Sequence, residues 1–192
     1  MGDLIGYQNL FDLLVVLLCV AAFILGYIQG AVRRVIGIVS IVLALIAASQ
    51  LSGPIGGFLA SNWTQFPAAY SRMLAFAGTF AVLVAALAIV TQGYYERAPI
   101  VPRHPVVDAM LGGLLGVVEA LVIIGAIILI LDSYFRLPGS AAFAAELPFV
   151  RDLFHAIDVS QVALFYRRDL IPVFLLLVGG LFPPEVRAMY PA

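Results

Sequence analysis

Lysine is absent from this 192-residue chain, cysteine occurs once, histidine twice, and charged side chains make up only 11% of it. Each shortage excludes something. An ordinary soluble domain carries about 25% charged residues, so this chain has too few to cover a water-facing surface. Ten arginines against eleven acids give a formal charge of −1, which leaves no basic footprint for a nucleic-acid partner. Cys19 has no second cysteine to pair with and reads as a small residue of a packed interior. His104 lies in an Arg-His-Pro loop and His155 on a polar helix face, with no cysteine nearby, so neither points to a metal site. The chain also lacks a His-Glu-x-x-His pair, a Gly-x-Ser-x-Gly nucleophile turn and a phosphate loop. The expectation is a protein that is not an enzyme and holds no cofactor. The stretch before the first apolar run, Met1 to Asn9, contains Asp3 and no arginine. A cleaved signal peptide needs basic residues there, so the first run is expected to persist as a helix.

What the chain has in abundance is apolar sequence, 64% of its residues. A hydrocarbon core of about 30 Å is crossed by roughly 20 helical residues, and lipid offers no partner to an unpaired backbone group, so long apolar runs predict helices. Four spans are expected, at about 10–28, 35–51, 73–91 and 109–131. Ser52-Gly-Pro-Ile-Gly-Gly57 is expected to end the second. Phe58 to Ser71, with Trp63, Phe66 and Tyr70, reads as a connection lying along the headgroup boundary. The fold class is therefore an all-α membrane protein, with a four-helix domain over 8–131 and a C-terminal extension over 132–192.

In the extension, Pro148 to Asp169 sets Val150, Leu153, Phe154 and Ile157 against Arg151, Asp152, His155 and Asp158, the pattern of a helix lying in the interface plane. Leu170 to Phe182 is apolar but too short to span. It reads as a re-entrant or interfacial hairpin. Arg33 and Arg34 between the first two spans, and Arg97 and Arg103 between the last two, place those loops in the cytoplasm and both termini outside it, although Arg136, Arg151, Arg167 and Arg168 in the extension pull the other way.

Every span carries small residues at helical spacing, among them Gly26 and Gly30 in the first, Gly78 in the third, and Gly112, Gly113 and Gly116 in the fourth. Small residues three or four apart let helix backbones approach closely. Glu119 follows Gly116 by three positions and shares its face, which points it at the bundle. An acid there costs about 2.5–3.5 kcal/mol on insertion scales and is a functional candidate by default. The alternative is a neutral carboxyl hydrogen-bonded to a neighbouring helix. Asp12 reads as an acid favoured by the N-terminal dipole of the first helix, and Asp108 as the N-cap of the fourth.

Asn9-Leu-Phe-Asp12, Leu25-Gly-Tyr-Ile-Gln-Gly30 with Arg33, and Asp108-Ala-Met-Leu-Gly-Gly-Leu-Leu-Gly116 resemble, in their order and spacing, the colicin V production protein (CvpA) family over about Gln8 to Leu131. The chain departs from the family pattern at Gln29, where a basic or aromatic residue is common, and at Glu119, where a basic residue often follows the glycines. The resemblance implies a multi-pass protein of the bacterial inner membrane, required for production or export of a peptide toxin. A similar module precedes extracytoplasmic serine proteases in relatives, which agrees with an outward C-terminus. The expected partners are the lipid bilayer and other membrane proteins or further copies of the chain. Two functional readings remain open: a scaffold or accessory subunit, and a transporter or channel component built around Glu119. The spans show no convincing inverted repeat of the kind transporters use, which favours the scaffold.

Overall fold

The apolar runs fold as helices because only a helix pairs every backbone group within its own segment. The computed structural model describes residues 10–94, 105–137, 140, 143 and 145–190. Met1 to Asn9 and the loop bearing Arg97, Arg103 and His104 lie outside them. Four long helices follow in order, α1 (Leu10–Gln29), α2 (Ala31–Asn62), α3 (Ala68–Tyr94) and α4 (Pro105–Phe135), each long and apolar enough to cross a bilayer. No strand occurs among the described residues, and the protein is an all-α membrane bundle.

Gly30 alone separates α1 from α2, at φ +83°. Side chains with a Cβ rarely adopt that backbone conformation, so a glycine is needed to reverse the chain there. The two helices it joins diverge from the turn. α1 packs along α4, α2 packs on α3 and α4, and α1 and α3 make little contact.

Several boundaries differ from the sequence reading. α2 does not stop at Ser52 but continues unbroken through Pro54 to Asn62. Helix persists because lipid gives the alternative conformations no hydrogen-bond partners. The glycines help as well: Gly56 sits so close to Arg72 of α3 that an added Cβ would lie 2.6 Å from that residue's Cα. The connection to α3 is then only a turn at 63–67, and α3 begins at Ala68. Trp63 is half exposed, whereas Tyr70 is fully buried, against Tyr134 and Phe143 with ring centroids 5.1 and 5.0 Å away. The stripe containing Gly78 faces outward, and a Cβ at Gly78 would meet nothing.

The chain after α4 closes the end of the bundle opposite Gly30. α5 (Pro148–Asp158) presents Val150, Phe154 and Ile157 inward, while Leu153 is exposed. Its apolar face packs on protein, with Phe154 stacked on Phe135 at 4.6 Å between centroids. The helix expected to run on to Asp169 ends at Asp158, and α6 (Gln161–Phe165) starts afresh with Ser160 as its N-cap. A π-helical turn (Tyr166–Leu170) leads into α7 (Ile171–Val178). Tyr166 Oη donates to the Leu121 carbonyl at 2.8 Å, about 16 Å along α4 from Asp132 at about 1.5 Å per residue. The chain then returns through a 3-10 turn (Gly179–Leu181), whose Leu181 carbonyl accepts from Gln50 Nε2 at 2.7 Å, and α8 (Pro184–Ala188). This excursion runs along α4 and returns.

Candidate functional site

The site forms where α2 and α4 meet near the Gly30 end. Glu119 accepts a short charge-assisted hydrogen bond from Arg34 Nη1. The two side chains are 12% and 15% exposed. Gly37, about 10 Å along α2 from Gly30 at about 1.5 Å per residue, makes the room, because a Cβ there would overlap the Glu119 carboxylate. A cleft of about 320 Å³ opens beside the pair, with Gln29, Arg33, Ser40 and Thr91 among its polar walls. The partner of Glu119 is thus a guanidinium. Removing one member would leave the other charge buried and uncompensated, and this fixes α2 and α4 to each other.

α1 and α4 hold the other side of the cleft by direct backbone contact. A Cβ on Gly26 would overlap the Gly112 carbonyl, one on Gly112 would overlap the Gly26 carbonyl, and one on Gly116 would overlap the Ala22 carbonyl. Gly113 is filled by the Phe23 ring, and Gly30 lies over Asp108 Oδ2, 2.9 Å from where its Cβ would be. Asp108 is not an N-cap. It lies inside the first turn of α4, which starts at Pro105, and it is 8% exposed. Asp12 does sit in the first turn of α1, but its carboxylate reaches the extension. It accepts from Ser160 Oγ and from the Gln161 and Val162 amides at 3.4 and 3.3 Å, tying α1 to the start of α6.

A second polar cluster was not singled out from the sequence. Asp132, fully buried near the end of α4, receives Nε and Nη2 of Arg167 at 2.9 and 2.7 Å and the Tyr190 hydroxyl. Arg167 Nη1 bonds Asp158 at 2.7 Å. The two-pronged Arg167 contact is the strong geometry for a carboxylate. Burial first, and then the neighbouring Asp132 charge, push the Tyr190 phenol well above its ordinary range. It therefore remains a donor at physiological pH. Arg151 is held charged by its hydrogen bond to Glu146 at 2.8 Å and lies over the Phe135 ring. Asp132, Arg167 and Tyr190 together pin both ends of the 167–190 segment to α4. The available signal was an acid closing the longest apolar run and an arginine pair inside an otherwise apolar tail.

No group of three or more His, Cys, Asp or Glu residues arranged to hold a metal occurs among the described residues. His155 is exposed on α5.

The geometry defines a multi-pass helical membrane protein whose intramembrane acid is ion-paired beside a cleft with polar and apolar walls. The family model for the colicin V production protein matches residues 11–156. That is most of the chain, and the protein belongs to this family. No curated protein and no solved structure matches it.

Proposed function

We propose that the chain is a non-enzymatic scaffold or accessory subunit of the bacterial inner membrane, serving toxin production or export or upkeep of the envelope. The observation that carries this reading is the engagement of Glu119 by Arg34. A proton- or ion-coupling acid needs to exchange partners, whereas an acid held by a guanidinium joins two helices. The extension supports it too, since Asp12, Asp132 and Gln50 lock the tail onto the bundle and give the assembly one fixed shape. The cleft beside Glu119 favours the second reading, a transporter or channel component.

The arginine-bearing end, with Gly30 and the start of α4, faces the cytoplasm in this proposal, and the extension faces away. A cysteine placed at the exposed Trp63 should react with an impermeant thiol reagent in intact cells, and one placed at Arg33 should not. The reverse pattern inverts the orientation.

Purification of the full chain in mild detergent tests the role itself. A scaffold brings a membrane protein with it in fixed stoichiometry. Recovery of a lone homo-oligomer that conducts ions through the Glu119 cleft in vesicles would support transport instead.

A further inference from the structure

We propose that the cleft beside Glu119 binds one phosphate group, supplied by an anionic phospholipid or by free phosphate. The inference rests on the reading of Glu119 as the fixed counterion of Arg34.

With Arg34 neutralised in that way, Arg33 supplies a surplus positive charge in the cleft wall. Arg33 is exposed and makes no ion pair among the described residues. Arg34 adds an unused donor: its Nε–H is buried and has no acceptor among the described residues. A buried donor without a partner is unfavourable, and a turn of the guanidinium towards an anion in the cleft would give it one. Gln29 brings a neutral amide to the same wall. The N-terminus of α2 lies at this end too, but the Asp108 carboxylate already sits against Gly30 there, so the arginines rather than the helix carry the site. A planar guanidinium matches phosphate oxygens in two-pronged fashion.

The deeper wall is different in kind. Leu25, Ile41, Val84 and Ile123 are apolar, and the cleft lies between α1 and α3, which make little contact. A headgroup at Arg33 with an acyl chain against this wall fits both halves of the cleft. Free phosphate would use only the upper half.

Native mass spectrometry of the full chain, released from neutral detergent with phosphatidylglycerol or phosphatidylcholine present, reads the site. The wild type should retain one phosphatidylglycerol, Arg33→Gln should lower its retention at least about ten-fold, and Arg33→Lys should keep most of it. Arg33 is exposed, so the Gln variant keeps the fold. Inorganic phosphate that binds and displaces the lipid assigns the site to free phosphate, while phosphate that fails to displace it assigns the lipid. Equal retention of phosphatidylcholine, or an Arg33→Gln variant that binds like wild type, overturns the proposal. Glu119→Gln separates the site from the reading it rests on. Freeing Arg34 should tighten phosphatidylglycerol binding, and a folded Glu119→Gln protein that shows no gain while Arg33→Gln loses binding overturns the counterion reading and leaves the site standing.

Discussion

Gly116→Leu is expected to abolish the monodisperse folded species in detergent, whereas Gly78→Leu is expected to leave it unchanged. Both glycines lie within spans and both substitutions add the same four carbons. At Gly116 the first of them already overlaps the Ala22 carbonyl and lies 3.0 Å from the Ala22 carbonyl carbon and 3.3 Å from Gly26 Cα. Those are backbone atoms and cannot turn aside. Helices α1 and α4 would have to separate, which removes the close packing that holds membrane helices together. Overpacking commonly costs about 1–3 kcal/mol, and the rigid neighbour sets Gly116 at or above the top of that range. At Gly78 the new side chain meets open space, and replacing glycine within a helix gains up to about 1 kcal/mol of propensity. Size-exclusion profiles and thermal midpoints of the two proteins decide the matter. Equal behaviour would mean that the α1–α4 seam does not hold the bundle.

Much of this seam was legible in the sequence, because small residues spaced three or four apart mark a shared face whatever surrounds them. The same rule misled at Gly78, whose stripe faces outward. Spacing shows that residues share a face and leaves open which way the face points. Pro54 misled in a different way. Rules drawn from water-soluble chains end a helix at Ser-Gly-Pro, but an apolar surrounding penalises unpaired backbone more than it penalises one missing hydrogen bond. Glu119 stood out as an intramembrane acid, yet its partner did not. In the sequence Arg34 signals topology alone, because it lies 85 positions from Glu119 in the chain. The Asp132 cluster was hidden for the same reason, since Arg167 and Tyr190 come to Asp132 only after the extension folds back.

The second large effect concerns these buried charges. Removing one member of a buried pair costs about 3–5 kcal/mol, because the other is left charged and uncompensated, whereas removing both is often close to neutral. Asp132→Asn should fall at the lower end of that range, as Asp132 is fully buried and Arg167 is 8% exposed but keeps Asp158 as an ion-pair partner. Glu119→Gln should fall towards its lower end, since 12% and 15% exposure lets solvent screen the survivor. Arg34→Gln should destabilise likewise. The double variant Arg34→Gln/Glu119→Gln should recover most of the loss, because no charge is then left buried without a counterion.

That double variant also bears on function. We propose that Glu119 acts as a fixed counterion joining α2 to α4 and carries no proton or ion. Complementation of a deletion strain, scored by toxin export and envelope integrity at matched levels of membrane-inserted protein, measures this directly. Arg34→Gln/Glu119→Gln should complement as the wild type does. A double variant that is folded and inserted yet fails to complement would contradict it, and would show that the charge itself is used.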